Sequence, residues 1–365
     1  MNQAASAALQ KHLSQFIVPF TDSRLGGEGS KFSIEGDPAA PQVSIELGFP
    51  AARSSLELIG ALRTHCDELG LPTSPEFAVT WSIQPHSVQR GLKPLGGISN
   101  LIAIASGKGG VGKSTVAVNL CLALAQEGAR VGILDADIYG PSQPRMLGLS
   151  GKRPVTQDGK TLEPLEAHGV KAMSIGFLVD DKQPMAWRGP MVTSALNQLL
   201  GDTRWGELDY LLIDMPPGTG DIQLTLSQRV PVSGAVIVTT PQDIALADAR
   251  KGLEMFQTVN VPVLGIVENM SIHICSGCGH EEPIFGQAGG ERLAAQYELP
   301  LLGALPLDRR ICELTEQGTP SVVAEPDGAI AQAYRRIALR TAGRLAVTSK
   351  DFSSVFPTIT VEESG

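Results

Sequence analysis

The order of apolar and polar residues changes character partway along this chain of 365 residues. In the first ninety residues, stretches with helical spacing of apolar residues alternate with stretches in which every second residue is apolar. The helical spacing covers residues 9–17 and 52–69, and the alternation covers 43–49 and 77–83. Short helices and half-buried strands in this order predict a small α+β domain over residues 1–90.

Beyond this domain the apolar residues form continuous runs. A segment rich in Pro and Gly precedes them, and we assign residues 91–99 as a linker. The runs are LIAIAS (101–106), RVGILDAD (130–137), LDYLLIDMPP (208–217), GAVIVTT (234–240) and VPVLGIVENM (261–270). Because helix-length segments separate several of these runs, they predict a parallel sheet with helices on both faces over residues 100–345. The polar residues 346–365 are expected to form a loosely held tail.

The first continuous run leads into SGKGGVGKST, in which residues 107–114 fit the phosphate-binding pattern G-x-x-x-x-G-K-[S/T]. Glycines let backbone N–H groups converge on phosphate oxygens, and the helix that follows adds a favourable dipole. Lys113 is expected to reach the β- and γ-phosphates, and the Ser114 hydroxyl to help hold Mg²⁺. A glycine-rich turn without a ligand is the alternative, which the strand–loop–helix order disfavours.

Aspartates end two of the other runs. Asp214 closes LDYLLID, and Asp135 and Asp137 close RVGILDAD, where alternation places both on one face. One of the latter pair can position a metal ion while the other orients an attacking water. We therefore predict a Mg²⁺ site of Ser114, Asp135 and Asp214, with Asp137 in catalysis. For Asp135, the alternative is a helix cap or a turn.

A second lysine, Lys108, lies five positions before Lys113. An ordinary phosphate-binding loop needs only one. Lys108 is either a solvated surface residue or a charge that reaches the phosphates held by a facing subunit, in the manner of a catalytic residue supplied in trans.

Cys275 and Cys278 form a C-x-x-C pair in HICSGCGH. Two thiolates are half of a metal site, since zinc and iron–sulfur clusters usually take four protein ligands. Zinc sites and redox pairs share this spacing, and His273 and His280 make a one-chain zinc site an alternative. The other cysteines, Cys66, Cys121 and Cys312, fall in helical patterns and are expected to be packed.

Composition restricts partners and location. The formal charge of -9 argues against a nucleic-acid groove. The sequence contains no apolar run of 18 residues, so we expect no membrane span. The N-terminus lacks the pattern of a secretory signal. We therefore expect a cytoplasmic protein that binds neither nucleic acid nor membrane. Five cysteines in so long a chain favour reduced thiols or a metal site over a disulfide framework.

Long motifs connect residues 98–340 to a known family. SGKGGVGKST, DADIYGPSQP, WRGPM, DMPPGTGD, TTPQDIALAD and ENMSIHICSGCGH resemble the Mrp-type (ApbC) iron–sulfur carrier ATPases. These belong to the deviant-Walker-A class of P-loop NTPases, with MinD, ParA and the nitrogenase iron protein. The N-terminal region resembles the small domain that often precedes this ATPase in bacterial members, although FTDSRLGG (20–27) replaces that domain's DPE-like signature.

The resemblance implies an ATP-hydrolysing carrier that binds a 4Fe–4S cluster between two subunits and transfers it to apoproteins. It implies a homodimer in which Lys108 contacts nucleotide across the interface, Cys275 and Cys278 bridge the cluster, and cluster-assembly scaffolds are further partners. The implied cofactors are ATP, Mg²⁺ and the cluster. A MinD- or ParA-like positioning switch is the alternative function. The implied nucleotide contacts are Gly107, Lys108, Gly109, Gly110, Val111, Gly112, Lys113, Ser114, Thr115 and Asn269.

Overall fold

The fold was analysed in a computed structural model of the chain. It describes residues 3–37, 40–68, 75–89, 91–178, 189–275 and 277–348. Within these ranges, a small N-terminal unit precedes a large sheet with helices, as the apolar pattern predicts.

The N-terminal unit is built around a three-stranded sheet in the order β3–β4–β5, with β3 antiparallel and β5 parallel to the central strand. Its elements are α1 (Gln3–Leu13), β1 (Ile17–Val18), β2 (Ser23–Arg24), β3 (Ser30–Glu35), β4 (Gln42–Leu47), α2 (Ser55–Glu68) and β5 (Glu76–Trp81). Alternation along β4 buries Val43, Ile45 and Leu47, and α2 contributes Leu58 and Leu62 to the same core. The pattern predicted β4, β5 and both helices. It did not predict β3, although Phe32 and Ile34 alternate there with exposed polar residues.

The larger unit contains an eight-stranded sheet in the order β15–β12–β11–β6–β10–β7–β9–β8. Every neighbouring pair is parallel except β8 and β9 at one edge. Its strands are β6 (Ile98–Ala105), β7 (Val131–Asp135), β8 (Leu165–Ala167), β9 (Val170–Ser174), β10 (Leu208–Asp214), β11 (Gly234–Thr239), β12 (Val263–Glu268) and β15 (Leu301–Ala304), and a separate hairpin pairs β13 (His273–Ile274) with β14 (Glu281–Glu282).

Because helices cover the sheet, its central strands are buried on both faces, as in all five residues of β7. One group contains α3, α10 and α11, which contact one another, and a second contains α7 and α8. The helices are α3 (Lys113–Gln126), α4 (Gln143–Met146), α5 (Gly189–Gly201), α6 (Asp221–Arg229), α7 (Asp243–Thr258), α8 (Gly289–Gln296), α9 (Arg309–Glu316), α10 (Ser321–Ala324) and α11 (Ala329–Ala346). The predicted α/β class is confirmed.

The two units share a hydrogen-bonded contact at the carboxyl end of α3. Glu127 follows that helix and is fully buried. Its Oε2 accepts hydrogen bonds from the backbone N–H groups of Arg53 and Ser54, at 2.9 and 3.0 Å, and from the Ser54 hydroxyl at 3.1 Å. Since Ser54 immediately precedes α2, this carboxylate satisfies backbone groups at the start of a helix in the other unit.

The segment assigned as a linker is partly structured. β6 begins at Ile98, within the residues 91–99 so assigned. Just before residue 91, the side chain of Gln89 donates hydrogen bonds to the Ser227 and Val230 carbonyls and accepts one from the Val232 N–H. The connection is therefore anchored to the end of α6. The residues of the expected tail beyond 348 lie outside the described ranges.

Candidate functional site

The phosphate-binding pattern lies between β6 and α3, where the chain leaves the central sheet and enters a helix. Gly110 and Gly112 have φ of 81° and 83°, in the left-handed region that glycine adopts without strain. At Gly107, a Cβ atom would collide with the backbone carbonyl of Asp248 in α7. Glycine is required at these positions because the loop curls tightly and passes against a neighbouring helix.

Lys113, the first residue of α3, is buried, and its ammonium group donates to Asp214 Oδ1 and to Ser114 Oγ, the latter at 3.2 Å. Asp214 is fully buried at the carboxyl end of β10. The structure therefore brings three predicted site residues into one network. In this arrangement the lysine charge is balanced by a carboxylate of its own chain.

Asp135 lies beside Asp214 because the two are register partners on β7 and β10. Burial, and then the charge of Asp214, raise the pKa of the Asp135 carboxyl to about 7. Hydrogen bonds from Gln143 N–H and Ser174 Oγ, both at 3.1 Å, reach Oδ2, and Asp137 N–H reaches Oδ1 at the same distance. Two buried carboxyl groups thus lie side by side, and the Lys113 ammonium group bonds to that of Asp214.

Asp137 lies at the edge of this network. Burial raises the pKa of its carboxyl, and the nearby charge of Lys113 opposes that shift. Its side chain is less enclosed than that of Asp135, which is fully buried. Alternation along a longer strand would place both aspartates on one face, but β7 ends at Asp135 and Asp137 lies two residues beyond it.

Asn269 and Lys108 occupy opposite kinds of environment. Asn269 is buried directly after β12, and its Nδ2 donates to the Val111 carbonyl at 2.9 Å. Lys108 is exposed, and its ammonium group makes no ion pair with any residue in the described ranges. Its backbone carbonyl accepts from Ser106 Oγ at 2.9 Å. The loop is thereby held in shape while the Lys108 side chain extends outward.

The donor set at this site suits a hard divalent cation. Mg²⁺ prefers oxygen ligands and usually takes one or two carboxylates together with water and phosphate. Asp135 and Asp214 provide buried carboxyl groups, and Ser114 provides a hydroxyl at the start of α3. Burial is the first cause of the raised pKa of Asp135 and the charge of Asp214 the second, and a bound cation would offset that charge.

Gln143 was not predicted from the sequence. It begins α4 and is fully buried. Its Nε2 donates to Asp214 Oδ2 at 2.8 Å and to the Ser114 carbonyl at 3.1 Å. The only signal along the chain is its closeness to DADIYGPS, because no spacing rule indicates that a residue eight positions after Asp135 returns to the carboxylates.

The cysteine pair lies on the hairpin formed by β13 and β14. Cys275 N–H donates to the His280 carbonyl at 2.9 Å, and Gly279 N–H to the Cys275 carbonyl at 2.8 Å. The hairpin is fastened to the segment after β15, where Leu307 N–H donates to the Ile272 carbonyl at 2.8 Å. Both this hairpin and Asn269 therefore follow the carboxyl end of β12.

The surroundings of Cys275 favour the thiolate form of its side chain by lowering its pKa. Hydrogen bonds from the backbone N–H groups of Gly277 and Cys278, and from the Cys278 thiol, lower its pKa. Cys278 is exposed. Across the described ranges, no three His, Cys, Asp or Glu side chains come together as a metal site. Within those ranges, His273 and His280 are therefore not grouped with the two thiols as a one-chain metal site.

The remaining cysteines divide into two kinds. Cys66 and Cys121 are buried, as predicted. The prediction for Cys312 is wrong: its thiol is exposed on α9, because the apolar side of that short helix is formed by Ile311 and Thr315 instead. Trp187 and Arg188, part of the WRGPM motif, lie outside the described residues.

A strand, phosphate-binding loop and helix at the centre of a parallel sheet, with a buried carboxylate on the adjacent strand, define a P-loop NTPase. The model of the family described as NUBPL iron-transfer P-loop NTPase matches residues 97–342. The chain belongs to this ParA-type family of iron-transfer P-loop NTPases.

Individual relatives agree with this assignment. An iron-sulfur cluster carrier protein of Pseudomonas fragi is 59% identical over 273 residues, which cover 74% of this chain and 95% of that protein. The carrier protein of Escherichia coli strain K12 is 54% identical over 289 residues, 78% of each chain. A nucleotide-binding protein of Archaeoglobus fulgidus, solved with ADP, is 41% identical with a TM-score of 0.56, covering 63% of this chain and 90% of that one.

Proposed function

We propose that this protein is an ATP-hydrolysing iron–sulfur carrier whose homodimer holds a 4Fe–4S cluster between two copies of the C-x-x-C hairpin and transfers it to apoproteins. The observation that carries the proposal is the incomplete pair, Cys275 and Cys278, on a hairpin at the same sheet edge as the phosphate-binding loop. The relatives named as carriers support the same reading.

The nucleotide site supports ATP binding with Mg²⁺. The loop from Gly107 to Thr115 would bind the phosphates through its backbone N–H groups. Asn269 is hydrogen-bonded to this loop and would contact the base of the nucleotide. Ser114, Asp135 and Asp214 would hold the metal ion, which neutralises phosphate charge when bound. For phosphate contact, Lys113 must exchange its hydrogen bond to Asp214 for the phosphate oxygens. Asp137 orients the attacking water in this scheme.

The proposed dimer explains three otherwise separate features. Lys108 is exposed beside the loop, where a facing subunit's nucleotide would receive its charge. The thiols lack two of the four ligands that a cluster takes. Large apolar side chains are also exposed at the same sheet edge: Ile274 and Ile284 flank the hairpin cysteines, and Ile244 lies near the start of α7. A two-fold contact would bury these side chains and complete both half-sites.

The decisive experiment is anaerobic reconstitution with iron and sulfide. We expect an absorbance band of a 4Fe–4S cluster, about four irons per dimer, and loss of both in Cys275→Ala and Cys278→Ala. Cys312→Ala is the matched control, since it removes an exposed thiol that is not part of the C-x-x-C pair. Equal, oxygen-labile iron in wild type and in both hairpin variants would exclude the proposed cargo site.

A second assay separates this function from a positioning switch of the MinD or ParA kind. Such a switch would sediment with liposomes or DNA in the presence of ATP, whereas we expect neither. No helix in the described ranges is long and apolar enough to span a bilayer. We place the protein in the cytoplasm, with apo iron–sulfur proteins and cluster-assembly scaffolds as its partners. Clear ATP-dependent sedimentation would favour the switch.

A further inference from the structure

A buried glutamine joins parts of the nucleotide site that are distant in sequence. Gln143 Nε2 donates both of its hydrogens to acceptors: Asp214 Oδ2 at 2.8 Å and the Ser114 carbonyl at 3.1 Å. Because both partners can only accept, the amide orientation is fixed by chemistry. The Gln143 backbone N–H also donates to Asp135 Oδ2 at 3.1 Å. One residue therefore contacts both carboxylates and the first turn of α3.

The carbonyl oxygen of this side-chain amide is an unpaired acceptor among the described residues. Gln143 Oε1 is buried and accepts no hydrogen bond from any residue in the described ranges. An unpaired buried acceptor is unfavourable unless a donor arrives. The site also holds the Lys113 ammonium group, but its hydrogen bonds go to Ser114 and Asp214. A further donor suited to this site is water on a bound divalent cation, since Mg²⁺ usually keeps several of its waters.

We propose that Gln143 is a positioning residue for the metal: it fixes the orientation of the Asp214 carboxylate against the phosphate-binding loop and offers Oε1 to the metal's hydration shell. The inference rests on the proposed nucleotide site but not on the cluster. Asp214 has two oxygens, and Lys113 and Gln143 each occupy one. When Lys113 turns to phosphate, the hydrogen bond from Gln143 would keep the Asp214 carboxylate in its orientation, so that this residue could help hold the metal.

The test is the Mg²⁺ dependence of ADP binding, followed with a fluorescent ADP analogue in the full-length chain without iron. For Gln143→Leu we expect ADP affinity in EDTA within about twofold of wild type, because the loop itself is intact. The Mg²⁺ concentration that half-saturates the ADP complex should rise about tenfold or more, the usual effect of losing a residue that orients a metal ligand.

The matched control is Gln89→Leu, which removes another buried glutamine with three hydrogen bonds, at the end of α6. It should leave the Mg²⁺ half-saturation unchanged. If Gln143→Leu does not fold, Gln143→Asn keeps the amide but withdraws it by one methylene and should shift the Mg²⁺ dependence in the same direction.

Two results would overturn the inference: an unchanged Mg²⁺ half-saturation, or an equal loss of ADP affinity with and without Mg²⁺, which would indicate a purely structural role. These results differ from failure of the proposed function. If wild type binds no ADP analogue at all, the nucleotide site is wrong, whereas normal Mg²⁺-dependent binding by both wild type and Gln143→Leu refutes only the role of Gln143.

Discussion

A buried carboxylate contributes several of the hydrogen bonds between the two units, so its removal has a defined expected effect. Glu127 accepts three hydrogen bonds, two from backbone N–H groups and one from a hydroxyl, all at the start of α2. Each such bond contributes about 1 kcal/mol net. Glu127→Ala should therefore destabilise the start of α2 by about 3 kcal/mol. Glu127→Gln keeps an acceptor oxygen in place and should cost roughly 1 kcal/mol, since only the charge assistance is lost.

Hydrogen exchange measures this locally, without requiring the whole chain to unfold in one step. A loss of 3 kcal/mol corresponds to roughly a hundredfold faster exchange of the α2 amides, given about 1.4 kcal/mol per factor of ten. Amides of β10, in the large sheet, should be unaffected. Glu46→Gln is the matched control, because its ion pair with Lys31 is exposed and exposed pairs contribute less than about 1 kcal/mol.

The reasoning would be refuted if Glu127→Ala changed exchange in α2 by less than about threefold, or no more than Glu46→Gln does. Such a result would mean that apolar packing between the units, rather than the carboxylate, holds α2 in place. A uniform acceleration across the large sheet would also contradict it, because the three donors all belong to the N-terminal unit.

Three further expectations can be checked independently. Lys108→Ala should bind ATP with affinity close to wild type but hydrolyse it more slowly in a steady-state phosphate-release assay; wild-type turnover would show that this lysine is only surface charge. Asp308→Ala should cost about 1 kcal/mol at neutral pH in urea denaturation, because Asp308 caps α9 through Arg310 N–H. Hydrogen bonds from Arg310 lower the pKa of the Asp308 carboxyl below its ordinary value of 3.8. The stabilisation from Asp308 is therefore present above pH 3.8 and is lost as the pH falls through the lower pKa of the folded state. A stabilisation that persists undiminished in acid would contradict the assignment. Finally, Cys275 should react with iodoacetamide faster than Cys312 near neutral pH, as followed by peptide mass spectrometry. Hydrogen bonds lower the pKa of the Cys275 thiol, whereas partial desolvation and the nearby Glu316 raise the pKa of the Cys312 thiol. The reverse order of reaction would refute the proposed thiolate environment.

Features that depend on neighbours in the chain could be predicted from the sequence. The phosphate-binding loop, its helix and the strand before it are local patterns, and α3 extends over Lys113–Gln126, as its helical period indicates. Asp135 and Asp214 were predictable as strand-terminal carboxylates because parallel strands end at one sheet edge. The burial of Cys121 follows from its place among apolar residues on α3.

Other features were decided only when distant segments met. No pattern along the chain indicates that Gln143 bonds to Asp214, or that Glu127 binds the start of α2, since these pairs are 71 and 73 residues apart. The exposure of Cys312 depends on which side of α9 the rest of the fold covers. Hydrophobic periodicity reports which face of an element is buried, whereas a buried polar contact requires particular donors and acceptors from separate elements. The sequence alone therefore determined five of the eight strands in the large sheet, the phosphate-binding loop and the C-x-x-C spacing. The tertiary structure added the outer strands β8, β9 and β15 and decided which polar groups hold the site in position.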